Sequence, residues 1–122
     1  AKTAKLQLLW VVEHGQDEFR DLARLRLATL LLDEKAYDEA LKQVDGAANA
    51  GFAARFQDMR GDILGAQGKT VEARAAYQAA LAKLDEVDRQ SGRSEDTLPD
   101  RQANAAYREI LHLKRDALGE PN

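Results

Sequence analysis

Apolar residues recur along this chain at helical neighbour spacing, without the strict alternation of a half-buried strand. Leu8, Leu9, Val11 and Val12 predict a first helix from Lys2 to about His14, with Gly15 as its stop. Asp17 is placed to cap a second helix over residues 17–32, whose Ala23, Leu27, Leu30 and Leu31 form one stripe. A second stripe, Leu22, Leu25, Thr29 and Leu32, lies on another side of it. A helix apolar on two faces is usually sandwiched, so this one is expected to touch both a hairpin partner and something across an inner surface. After the polar link Asp33-Glu34-Lys35-Ala36, a return helix over residues 37–49 turns Ala40, Leu41, Val44 and Ala47 inward, and Asn49-Ala50-Gly51 ends it. Phe52, Phe56, Met59 and Ile63 trace the next face until Gly65 to Gly68 interrupt it. Thr70 is placed to cap a longer helix bearing Ala73, Tyr77, Ala80, Leu84 and Val87. A polar stretch over 90–98 reads as a loop, and Pro99 suits the first turn of a last helix with Tyr107, Ile110, Leu111 and Leu118 on its buried side. The expectation is six helices and an all-α chain.

Two of these hairpins echo each other at thirty-three residues. Leu27-Ala28-x-x-Leu31 precedes Ala40-x-x-x-Val44, and Arg60-Gly61-x-x-Leu64 precedes Ala73-x-x-x-Tyr77. In the tetratricopeptide (TPR) pattern, with a period of about 34 residues, small residues mark where two antiparallel helices cross closely. Ala28 and Ala40 fit those positions in one hairpin, Gly61 and Ala73 in the next, and Ala47 and Ala80 continue the correspondence. Alanine-rich helices also produce such coincidences by composition, against which stand the number of matching offsets. The fold expected is a TPR-like α-α superhelix in which each hairpin buries its apolar face on the next. Residues 1–122 form a single domain on this pattern: 1–15 as the second helix of a truncated repeat, 17–49 and 52–89 as hairpins, and 99–118 as a closing, capping helix.

Charge and composition narrow the function. Eighteen Lys and Arg interleave with twenty-one Asp and Glu for a net charge of -3, so no basic stripe is available to follow a phosphate backbone, and nucleic acid is not an expected partner. Aromatic content is 6% and cysteine is absent, which removes disulfides, thiolate metal sites and thiol nucleophiles. The longest apolar run, Leu8 to Val12, is far short of a membrane span of about 20 residues. Opening on Ala1-Lys2-Thr3 without methionine reads as a processed or excised fragment.

Candidate chemistry is sparse. Gly68-Lys69-Thr70 resembles the tail of a phosphate-binding loop, but Ile63 stands where that motif needs glycine and a helix leads in, so a helix stop and cap explain it better. His14 and His112 have no second histidine at ligand spacing, Ser91 and Ser94 lack a Gly-x-Ser-x-Gly turn, and the pairs Asp33-Glu34, Asp85-Glu86 and Glu95-Asp96 read as solvated. No catalytic residue, cofactor or metal is therefore expected, and the chain is read as a non-enzyme. Arg60 stands beside the packed Gly61 and Leu64, where a buried guanidinium needs a carboxylate. Asp58, Asp62 and Glu72 are its expected partners, with the clamping of another protein's carboxylate as the alternative.

Several blocks together resemble one family. Leu25-Arg26-Leu27-Ala28, Ala40-Leu41-Lys42, Asp58-Met59-Arg60-Gly61-Asp62-Ile63-Leu64, Gly68-Lys69 and Ala73-Arg74-x-Ala76-Tyr77 resemble, in that order, the periplasmic TPR domain of the YfgM family, ancillary subunits of the SecYEG translocon in the bacterial inner membrane. The resemblance runs from about Asp17 to Leu84; the segment after Val87 departs from it. It implies an N-terminal membrane anchor outside this chain, a place on the periplasmic side of the inner membrane, and partnership with SecYEG and a PpiD-type chaperone.

The function expected is a protein-protein interaction module, linking translocon to chaperone on the family resemblance. A generic TPR adaptor, lipoprotein-type or cytoplasmic, and a small-ligand-binding regulatory helical domain are the alternatives. Because first helices line the concave side of TPR hairpins, Leu22, Leu25, Thr29, Leu32, Arg55, Asp58 and Asp62 are the candidate partner-binding residues, unless the last helix folds back into that groove. Leu8, Leu9, Trp10 and Val12, uncovered on the first helix, are candidates for self-association as a homodimer.

Overall fold

The computed structural model describes residues 2–46, 48–91 and 98–119. Six α-helices follow one another there: α1 (Lys2–His14), α2 (Asp17–Asp33), α3 (Tyr37–Gln43), α4 (Ala53–Ala66), α5 (Thr70–Ser91) and α6 (Leu98–Ala117), with a 3-10 turn at Ala50–Phe52 before α4. No strand occurs among the described residues. The inward position expected for Ala47 and the loop expected around Ser94 lie outside them.

The thirty-three-residue echo is present in the backbone. At the end of α2, the N–H groups of Lys35 and Ala36 turn back to the carbonyls of Leu32 and Leu31 at 2.9 and 2.8 Å. At the end of α4, those of Gly68 and Lys69 reach Gly65 and Leu64 at 3.0 and 2.9 Å. Both are Schellman turns, which satisfy helix-end carbonyls by placing one residue in the left-handed region. Gly68 takes that place at φ 79°, and Lys35 takes it at φ 62°. The return helices then start at equivalent residues, with Ala40 N–H on Ala36 and Ala73 N–H on Lys69.

Successive hairpins stack. α2 packs on α1, α3 and α4; α4 packs on α3 and α5; α5 carries α6. One core cluster gathers Leu27, Ala28, Leu31, Ala40, Val44, Phe56 and Ile63, and a second gathers Ala54, Leu64, Ala73, Ala76, Tyr77, Ala80, Leu81, Leu84 and Leu111. α4 supplies both, Phe56 and Ile63 to one side and Ala54 and Leu64 to the other, which is how a single chain of helices becomes a continuous core. Ala28, Ala40, Ala73 and Ala80 are fully buried, as their small size at the crossings predicts. At Gly61 the helices approach too closely for a side chain, since a Cβ there would lie 2.5 Å from the Tyr77 ring.

Three local expectations are corrected. The return helix of the first hairpin ends at Gln43 rather than near Asn49. Its chain is diverted because Val44 N–H tightens onto Leu41 O at 3.1 Å, and Asn49 is then held by Asp21 of α2, whose carboxylate accepts its backbone N–H at 2.8 Å and its Nδ2 at 2.9 Å. Asp17 does not cap α2: Gln16 occupies the cap position without a side-chain bond, and Asp17 sits at φ 52°, a conformation aspartate tolerates better than most residues. Ile110 is 49% exposed, because α6 turns Leu111 instead into the second cluster.

Candidate partner-binding surfaces

The seven candidate positions divide between two places. On α2, Leu25 and Leu32 are half-buried against the first cluster, Leu22 is partly open, and the exposed Thr29 donates its hydroxyl to Leu25 O at 2.9 Å. Thr29, Arg26 and Leu30 form one wall of a groove of about 460 Å³ whose other wall is Ala4, Gln7, Leu8 and Val11 of α1. Lys5 closes one end of this antiparallel pair by an ion pair with Glu34 at 2.6 Å. The groove is open, largely apolar, and shaped by two helices.

On α4, Arg55, Asp58 and Asp62 face α6. Tyr107 donates its hydroxyl to Asp58 at 2.6 Å, and Lys114 reaches Asp58 at 2.8 Å and Asp62 at 3.2 Å. Tyr77 of α5 donates to Asp62 at 2.6 Å, and the Arg55 guanidinium lies 5.3 Å from the centre of the Tyr107 ring. Burial, and then the hydrogen bonds to carboxylates, push both phenols above the usual tyrosine range, so they stay protonated donors. Burial alone would draw the Lys114 ammonium down, but Asp58 and Asp62 together outweigh it and hold it above the usual lysine value. The chain's own last helix therefore meets the two acidic positions with one charge and one hydroxyl, and Tyr77 of α5 adds a second hydroxyl at Asp62. A second clasp ties α6 to α5, where Arg108 meets Asp88 at 2.7 Å and Asp85 at 3.0 Å; the Arg108 hydrogen bond holds the Asp88 carboxyl below the usual aspartate range.

The α1 candidates also divide. Leu8, Leu9 and Val12 pack partly against the first cluster, while Trp10 is 61% exposed and stacks on His14 with ring centres 4.5 Å apart. Leu6, one turn before Trp10, is 66% exposed.

Arg60 is not buried beside Gly61, and its partner is none of the three expected. It is half-open, meets Asp45 at 3.5 Å, and with Lys83, Val44 and Phe56 lines a cavity of about 330 Å³. One residue of helix is about 100° of rotation, so Gly61 takes the crossing and Arg60 is carried to the outer side. Sequence reasoning missed the roles of three residues here, although it placed Tyr107 on the buried side of the last helix. Asp21, only 3% exposed, was hidden in a polar helix start; Tyr107 and Lys114 were separable from the rest of the last helix by their seven-residue interval, which puts a hydroxyl and a charge on one face.

The comparisons with known proteins agree with this architecture. A curated relative, the "Ancillary SecYEG translocon subunit" of Neisseria gonorrhoeae, is 32% identical over 116 residues, which cover 94% of this chain and 47% of the relative, so the chain spans about half that protein's length. The resemblance to the YfgM family noted from the motif blocks is thus met by a translocon-subunit relative. No solved structure matches the chain. The Tetratricopeptide repeat-like domain matches residues 1–120, and it is to this family that the chain belongs.

Proposed function

We propose that the chain is the protein-binding part of an ancillary translocon subunit, working on the periplasmic side of the inner membrane and linking SecYEG to a PpiD-type chaperone. The observation that carries this is the identity shared with the Neisseria ancillary subunit along nearly the whole chain. The stacked hairpins supply what such a role needs, an extended surface built from neighbouring helices. Leu22, Leu25, Thr29 and Leu32 of α2, with the groove between α1 and α2, are the part of that surface that this proposal assigns to the partner. An extended segment or helix with apolar side chains fits the groove, and Arg26 at its wall favours a carboxylate nearby. No helix among the described residues is long and apolar enough to cross a membrane, so in this proposal the tether lies elsewhere in the full-length protein.

The test is photo-crosslinking from Thr29 in the full-length protein in intact membranes. Crosslinks to SecY or to the chaperone are expected. A protein that purifies from gently solubilised membranes free of translocon subunits, with no crosslink from Thr29, overturns the proposal.

A further inference from the structure

α6 ends the stack of described helices with one side uncovered. On α4, the residues that receive α6 are Arg55, Asp58 and Asp62. Each stands one residue before an inward-facing partner of the first cluster, Phe56, Met59 and Ile63. α6 repeats this arrangement. Its inward positions are Asn104, Tyr107, Leu111, Lys114 and Leu118, and one residue before each stand Ala103, Ala106, Ile110, Leu113 and Ala117. One residue is about 100° of helix rotation. α6 therefore turns outward the same side on which α4 receives its neighbour, and all five of these residues are exposed.

The chemistry of this side is that of a helix seat. Ile110 and Leu113, 49% and 68% exposed, form its apolar centre, and alanine on either side allows another helix to approach closely. The five positions follow one another at intervals of three, four, three and four, the spacing of a helix-pairing seam. One flank is acidic: Glu109 and Asp116 stand seven residues apart and exposed. Glu109 makes no ion pair among the described residues, and Asp116 meets only its neighbour Arg115, at 3.1 Å, among them. In an antiparallel pairing of two copies this flank faces itself, so like charges oppose the self-association of this face. Within the protein, too, helices in this stack pair through opposite charge, since Asp58 and Asp62 at the receiving positions of α4 take a lysine from α6.

We infer that the face of α6 formed by Ala103, Ala106, Ile110, Leu113 and Ala117 seats an amphipathic α-helix of a protein partner, one carrying lysine or arginine along the flank that meets Glu109 and Asp116. The inference rests on the proposal that the chain is a binding module, and gives it a second surface, remote in sequence from the α1–α2 groove.

The test uses the 122-residue chain and a synthetic peptide of about 20 residues with leucine at three-four spacing and lysine on the matching flank. Fluorescence anisotropy is expected to show saturable binding. Leu113→Asp is expected to weaken it about tenfold or more, and a glutamate-flanked twin peptide to bind weaker by about the same factor. The unfolding midpoint of Leu113→Asp stays at the parent value, because that side chain projects into solvent. Absence of binding by the lysine peptide at millimolar concentration overturns the inference, as does binding that Leu113→Asp leaves unchanged. Self-association abolished by the same substitution also overturns it, since the occupant is then a second copy. Photo-crosslinking in the full-length protein separates the two surfaces: partners captured from Thr29 but none from Leu113 reject the α6 seat alone, and silence at both rejects the binding-module proposal as well.

Discussion

Replacing Gly61 by alanine tests the close crossing of α4 and α5. In an isolated helix the change is favourable by about 1 kcal/mol, because glycine forfeits more backbone freedom on folding. Here the new methyl would lie 2.5, 2.7 and 2.8 Å from three carbons of the Tyr77 ring. Ordinary carbon contacts are about 3.5–4.0 Å, so the ring has to retreat by about 1 Å. It is poorly placed to do so, being 5% exposed and held through its hydroxyl to Asp62 at 2.6 Å. If the ring stays, overpacking costs about 1–3 kcal/mol. If it swings away, the bond to a carboxylate is lost at about 1.5–3 kcal/mol. The protein takes the cheaper course, and a cost of about 2 kcal/mol, the middle of the overpacking range, offset by the helix gain leaves a net loss of about 1 kcal/mol. For a chain of this size that lowers the melting temperature by about 3–6 °C, measurable by circular dichroism or urea titration. The sign should invert in a Tyr77→Ala background, where the added methyl meets no ring and Gly61→Ala recovers part of the helix gain. Equal or greater stability of Gly61→Ala in the wild-type background would refute the close-crossing account.

Lys35→Gly should stabilise the protein by about 0.5–1 kcal/mol, since Lys35 occupies the left-handed turn position that Gly68 fills in the next hairpin; urea midpoints decide it. The lowered Asp88 carboxyl makes a pH prediction: its contribution is present above the unfolded aspartate value of about 4 and is lost as pH falls through the lower folded value, and Asp88→Asn should flatten that acid limb. Asp21→Ala should cost about 1–2 kcal/mol, because two donors of Asn49 lose a shared acceptor; hydrogen exchange in the segment before α4 should rise with it. Light scattering at high concentration tests self-association through α1: a dimer that Trp10→Ser abolishes is expected, and a monomer at every concentration excludes it.

How much of this was legible beforehand follows from what helical periodicity contains. The spacing of Leu27, Ala28 and Leu31 and its echo at Gly61 and Leu64 told which residues share a face and which positions must be small. Those are properties of one helix and its immediate return, and both appear as expected in the buried alanines and in the close approach at Gly61. The candidate surfaces were legible as faces, not as neighbours. Asp58 and Asp62 were assigned to the concave side, yet Tyr107 and Lys114, which meet them, lie 49 and 56 residues from Asp58. Nothing local links them.

The chain's own pattern determined the all-α class, the hairpin period, the small residues at the crossings and the turn at Gly68, because these depend on contacts a few residues apart. Tertiary structure decided which way each charged helix face turns. It paired Arg60 with Asp45, brought Asp21 to Asn49, and closed Asp58 and Asp62 with α6 while leaving Ile110 and Leu113 outside. The physical reason is rotational. A helix such as α6 has apolar residues on two adjoining sides, one residue apart in sequence and about 100° apart in space, and only the neighbours that pack on it select which side is buried.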